Sequence, residues 1–192
     1  KDASGNGNDG EVNGATLGAD RNGISGGAYS FDGDDYIDIG KDRSLKIQNG
    51  TRSAWIYSEN FTRFGGVVSF IHSYHDGGGG YAMVARSGLG FLLSKSGYKE
   101  FAGKGELEKS KWQHIVVSFN DLIAEGYVDG IRVRGMNILN QTPQFQESSK
   151  AFIGLNSNKH KYEENDYFKG SIDDVRIYNR ALSAEEVKAL YD

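Results

Sequence analysis

The stretch KGSIDDVRIYNRALSAEEV, Lys169–Val187, runs a strand pattern straight into a helix start. The helix signal is specific. Ser183 can cap it, Glu186 three residues on completes a capping box, and Leu182 can staple onto Val187. Val187, Leu190 and Tyr191 then line one side of a short helix. No other stretch of the chain carries such a signal, so the remainder is read as strands and turns. The strand half poses a question. Asp173 and Asp174 stand side by side, where like charges repel. Either one of them faces something positive, or both sit at a rim where water solvates them.

Upstream, short segments bounded by turns follow one another. They include GAYSFDG, DYIDIG, TRSAWIYS, GGVVSFIHS, YAMVARS, GFLLSKSG, WQHIVVSFND, AEGYVDGIRVRG and AFIGLNS. In WQHIVVSF, Ile115, Val117 and Phe119 share one face, and His114, Val116 and Ser118 share the other. Both faces hold apolar residues, as for a strand inside a two-layer sandwich. In GYVDGIRVRG, Asp129-Gly130 tolerates the positive backbone angles of a type I′ turn, which predicts a tight hairpin. Many short strands joined by Gly-rich turns predict an all-β fold: an antiparallel two-sheet jelly-roll β-sandwich with a short C-terminal helix.

Composition agrees. The 192 residues fit one domain with a substantial core, and 27 glycines against a single proline mark many turns. The net charge of −4 is spread along the chain without a basic stripe, which argues against nucleic acid. No apolar run is long enough to insert in a membrane. The chain has no cysteine, so disulfides and thiol chemistry are excluded. The abrupt beginning, KDASGNGNDG, reads as a domain cut from a larger protein, spanning residues 1–192.

Taken together, DASGNGNDGEVNGA, YSFDGDDYIDIG, SAWIYS, KWQHIVVSF, GYVDGIRV, AFIGLNS and FKGSIDDVRIYNRALSAEEV resemble the laminin-G-like domains of the concanavalin A-like lectin/glucanase superfamily. They occur in the same order, and the closing motif is the most specific. The resemblance implies a jelly roll that sits beside other domains in a secreted bacterial protein.

It also implies a structural calcium. In the family, the N-terminal loop, the FDGDD turn and the IDD strand commonly lie close together around such an ion. Carried over, the candidate ligands are Asp2, Asn6, Asp9, Asp32, Asp35 and Asp173, completed by backbone carbonyls. Oxygen-only donors suit calcium, although Asp, Asn and Gly also make turns without any metal. The spacing fails as an EF-hand because no glutamate closes the loop. On this expectation Asp173 faces inward and Asp174 faces solvent or a base.

Catalysis finds little support. Retaining glycoside hydrolysis needs two carboxyls about 5 Å apart, and the E-x-D-x-x-E pattern of related glucanases is absent. Glu163, Glu164 and Asp166 read as a solvated loop, and Asp129 is used by the hairpin. His72, His75 and Asp76 flank a tip of four glycines, poor ground for a metal site. His114 reads as a hydrogen-bonded structural residue and His160 as solvated. Trp55 and Trp112 read as core.

Sugars stack their C–H faces on aromatic rings while polar groups fix the hydroxyls. The loop residues Tyr74, His75, Tyr98 and Tyr162 are the candidates for such contacts, with Asn156, Asn158, Arg63 and Lys161 as polar partners. The expected function is a non-catalytic carbohydrate-binding module. It would hold an extracellular or cell-surface parent protein on a polysaccharide or surface glycan. The alternative is a protein-interaction or spacer module of an adhesin, without sugar affinity.

Overall fold

The computed structural model describes residues 1–61, 64–71, 79–94, 98–103, 105–139, 143–156 and 167–192. Among them lie β1 (Glu11–Asn13), β2 (Thr16–Ala19), β3 (Ser25–Asp32), β4 (Tyr36–Gly40), β5 (Gly50–Tyr57), β6 (Gly65–Ile71) and β7 (Gly80–Ala85). They continue with β8 (Leu89–Ser94), β9 (Tyr98–Ala102), β10 (Gln113–Phe119), β11 (Ile123–Val128), β12 (Ile131–Asn137), β13 (Lys150–Ile153) and β14 (Lys169–Tyr178), then helix α1 (Ala184–Tyr191). Two seven-stranded sheets result. The first has the order β1-β4-β13-β6-β7-β8-β9 and the second β12-β11-β10-β5-β14-β3-β2. Every pairing is antiparallel. This is the expected sandwich.

Alternation places the core between the sheets. From the second sheet come Ala54, Ile56, Ile115, Val117, Phe119 and Ile172. From the first come Val68, Phe70, Tyr81, Met83, Phe91 and Leu93. β10 is buried on both faces for a concrete reason. Its outward Val116 packs with Tyr127 under Leu182 and Val187, so α1 roofs that side of the second sheet. The capping box at Ser183 and Glu186 forms as its sequence predicts. So does the hairpin, with φ of +50° at Asp129 and +74° at Gly130 and Val128 opposite Ile131.

β5 carries a less expected residue. Its alternation points Arg52 inward with Ala54 and Ile56, and the side chain is fully buried. The guanidinium carbon lies 3.3 Å from the ring centroid of Tyr81 and 4.6 Å from that of Phe119. Such cation–π stacking offsets part of the desolvation. Trp55 and Trp112 are not core residues. Both are half-buried. Trp55 stacks on Tyr191 of α1 on the outward face, and Trp112 leans on Tyr57. β1 and β2, which are not among the strand segments marked in the sequence, are short edge strands. Their mostly exposed residues leave no alternation to detect.

Candidate functional site

The Asp173–Asp174 question has a structural answer 152 residues away. Arg21 Nη1 donates to Asp173 Oδ2 at 2.8 Å, and its Nη2 lies 3.0 Å from Asp174 Oδ2. The two acids coexist because one guanidinium holds both. A bulge makes this possible. The β14–β5 register shifts between Asp173 and Arg176, and Asp174 takes φ +46°, a left-handed conformation that Asp tolerates. The Asp174 amide then donates to Asp173 Oδ1 at 2.7 Å. Arg21 itself lies 4.7 Å from the ring of Trp55. Beneath Trp55, His114 Nε2 and Ser53 Oγ share a hydrogen bond of 2.7 Å. Burial holds the His114 imidazole down to about 4. No sequence signal links Arg21 to β14, which is why the ion pair escaped the sequence reading.

The other acids lie elsewhere. The N-terminal loop is closed on itself. Asp2 accepts from the Ser4 amide and hydroxyl, both at 2.8 Å, and from the Asn8 amide at 3.0 Å. These donors, the Ser4 side chain first, hold its carboxyl below the ordinary carboxylate range. Asp9 Oδ1 accepts from the Asp2 amide, and Asn6 Nδ2 donates to Ser4 Oγ. These are turn interactions, with the carboxylate donors already supplied by the chain.

Asp32, Asp34 and Asp35 converge instead, with carboxylate oxygens within 4.8 Å of one another at the β3–β4 turn. Asp35 is buried beneath the β1–β2 turn, where a β-carbon at Gly14 would run into its Oδ1. Its Oδ2 accepts from the Asp32 amide at 2.8 Å. A hydrogen bond shared with Asp32, together with that residue's charge, pushes the Asp34 carboxyl up. The donor set is hard oxygen with an excess of negative charge, which fits calcium chemistry. Asp173 is not part of it. Lys169 stands opposite Asp32 and Asp173 lies four positions further along β14, about 13 Å at about 3.3 Å per residue. Asp34, which the sequence reading passed over, belongs to the cluster; it sits in the same DGDD run.

Asp2, Asn6 and Asp173 nonetheless border one groove of about 720 Å³. It opens between the N-terminal segment, β3 and the second half of β14. Its floor includes Ile37, Ile39, Leu45, Ile172 and Ile177.

The sugar-contact candidates separate. Asn156 is 1% exposed, with its backbone packed on Gly66, so it is a packing residue here and not a rim donor. Tyr98 is not in a loop; it starts β9, opposite Ser94. Tyr98 therefore joins the end of the first sheet where β6 finishes, and Asn156 the end where β6 begins. Tyr74, His75, Asn158, Tyr162, Arg63 and Lys161 lie outside the described residues.

Comparison with known proteins gives the lineage. The profile of the concanavalin A-like lectin/glucanases superfamily matches residues 31–188, most of the chain. The chain belongs to that superfamily. Solved structures of similar shape are distant in sequence. One is domain 4 of AbnA, an extracellular GH43 arabinanase from Geobacillus stearothermophilus, solved in complex with arabinotriose. The match covers 100% of this chain and 92% of that one, at TM-score 0.78 and 17% identity. A second is the binding domain of Paraclostridial Mosquitocidal Protein 1, at TM-score 0.76 and 19% identity, covering 100% of this chain and 48% of that one. A third is the receptor-binding domain of the botulinum neurotoxin C/D mosaic serotype, at TM-score 0.68 and 18% identity. It covers 96% of this chain and 46% of that one. At such identities the likeness is one of fold. A lectin-like sandwich shared with binding domains fits a binding module. No helix among the described residues is long and apolar enough to cross a membrane.

Proposed function

We propose that this domain is a non-catalytic carbohydrate-binding module of a secreted, multidomain protein. It holds its parent on a polysaccharide or cell-surface glycan and raises the local concentration of the parent's activity there. The likeness to the arabinanase domain carries this reading, because it runs the full length of this chain and nearly the full length of that one. The cluster at Asp32, Asp34 and Asp35 occupies one turn, whereas glycoside hydrolysis uses two carboxyls facing each other across a sugar. Tyr74, Tyr98 and Tyr162 are proposed to stack on the sugar, with His75 and Asn158 fixing hydroxyls. A structural calcium is proposed at Asp32, Asp34 and Asp35, where it would relieve their repulsion and pin the β3–β4 turn.

The test is a glycan array that includes arabino-oligosaccharides, run with calcium and followed by isothermal titration. Binding is expected, and alanine at Tyr74 or Tyr162 weakens it without lowering the melting temperature. Failure to bind any glycan would favour the alternative, a protein-interaction module, which the shape shared with toxin binding domains also supports.

A further inference from the structure

A row of side chains crosses the outward face of the second sheet. Ladder pairing sets its order. Thr16 on β2 stands opposite Ser30 on β3, Ser30 opposite Ser171 on β14, and Ser171 opposite Tyr57 on β5. Their neighbours Phe31, Ile172 and Ile56 lie in the core, so alternation turns the row outward. Trp112, just before β10, extends it, with its ring centroid 5.9 Å from that of Tyr57. At about 4.8 Å between strands, Thr16 to Tyr57 spans about 14 Å. Thr16 is exposed and the other four residues are half-buried. α1 roofs Val116 and Tyr127, and its Tyr191 stacks on Trp55; the row runs two residues further along β5.

The row joins two kinds of group. Tyr57 and Trp112 offer ring faces. The hydroxyls of Thr16, Ser30 and Ser171 have no hydrogen-bond partner among the described residues. The main chain beneath is already used, because β3, β14 and β5 are each paired on both sides at this level. The flanks carry balanced charge. Lys169 stands opposite Asp32 two residues along β14 in one direction, and Arg21 holds Asp173 two residues along it in the other.

We propose that this row is a second glycan-binding face, which takes a neutral oligosaccharide laid across the strands. The inference rests on the reading of the domain as a carbohydrate-binding module. The two rings receive the C–H faces of the sugar, and the three hydroxyls with the flanking ion pairs fix its hydroxyl groups. Three observations select this ligand. A polypeptide strand finds no open edge to pair with. An anionic glycan finds no surplus cation, since each flanking cation stands beside an acid. An apolar protein surface would meet hydroxyls where its centre needs hydrocarbon. The row is separate from the loop candidates, of which Tyr98 stands on the first sheet.

The chain has two tryptophans, Trp55 and Trp112, so Trp55→Phe leaves Trp112 as the sole indole emitter. The probes are arabinohexaose, xylohexaose and cellohexaose, with hexagalacturonate as the anionic counterpart. At least one neutral hexaose is expected to shift Trp112 emission to saturation. In the unaltered full chain it moves the amide resonances of Ser30, Tyr57 and Ser171. Tyr57→Ala weakens it about tenfold, as the loss of an aromatic anchor does. The amide shifts keep the test decisive if that variant fails to fold. A glycan that binds without moving these amides overturns the second face and leaves the module reading intact. Silence from every hexaose up to about 1 mM overturns it as well, and the module reading falls only if the glycan array is silent too. Tighter binding of hexagalacturonate overturns the neutral class. Shifts of the same amides on raising protein concentration without sugar overturn the proposal in favour of a contact between two copies of the chain.

Discussion

Two groups of aspartates, equal in sign and both at strand ends or bulges, are stabilised in opposite ways. Asp173 and Asp174 share Arg21, which approaches both within 3.0 Å and rests on Trp55. Asp32, Asp34 and Asp35 have one another, with Lys169 near enough only to favour ionisation of Asp32. Both groups contain a carboxyl pushed up, but the causes differ. For Asp173 it is burial first, with Arg21 acting the other way. For Asp34 it is sharing a hydrogen bond and a field with Asp32. An acid-rich stretch of sequence therefore does not say whether a cation must be supplied from outside. That depends on whether the fold delivers one of its own.

Acid separates the two regions most strongly. His114 lies under the Arg21–Trp55 layer and faces Asp129, Arg176, Arg21 and Asp174. Burial is the main reason its folded value is about 4 against an ordinary 6.5. The unfolded chain binds this proton as pH falls below about 6.5, while the folded chain stays neutral until about 4. Stability is thus full above 6.5 and declines across that window, by about 3 kcal/mol from this residue. At the acidic turn two shifts oppose each other: the raised Asp34 carboxyl favours the folded state once protonated, whereas the lowered Asp32 carboxyl favours it while ionised. Urea melts between pH 4 and 7 are expected to show a steep loss on acidification, and His114→Gln flattens it. An unchanged slope in the variant would mean that the aromatic layer is wetter than its packing implies.

Calcium sharpens the contrast next. At a free concentration a hundredfold above its dissociation constant, an ion bound only by the native state adds about 2.7 kcal/mol. The rise in melting temperature is expected to vanish in Asp32→Asn and Asp34→Asn and to persist in Asp173→Asn. If Asp173→Asn alone abolished it, the ion would sit in the groove, and the two clusters would have exchanged roles.

What could be read from the sequence follows the same division. Local signals were legible: the Asp129-Gly130 hairpin, the Ser183–Glu186 capping box and the alternation of Ile115, Val117 and Phe119 each depend on neighbours a few residues away. The sandwich followed from their sum. Long-range partnerships were not legible. Arg21 sits in an unremarked turn, and nothing near it announces β14. The bend of β3 where its register with β2 shifts rests on Gly26-Gly27, a pair that looks like any other in a chain of 27 glycines. Trp55 seemed a core residue because aromatic strand residues usually are; only α1, folding back over the second sheet, gives it an outward bed.

The smallest effect tests the comparison most directly. Removing the resident cation with Arg21→Met leaves the Asp173 side chain, 12% exposed, without its guanidinium. A partly buried carboxylate deprived of its partner costs about 1–2 kcal/mol at neutral pH. Because the penalty is one of charge, it should shrink as pH approaches the Asp173 value and should be recovered largely by adding Asp173→Asn. Lys169→Met, beside the exposed acidic turn, is expected to stay within about 0.5 kcal/mol, since water already screens that pair. A double-mutant cycle on Arg21 and Asp173, read by chemical denaturation, measures the coupling. A coupling near zero would place the stabilisation in the contact between Arg21 and Trp55, so that the guanidinium served the ring and the acids were merely tolerated beside it.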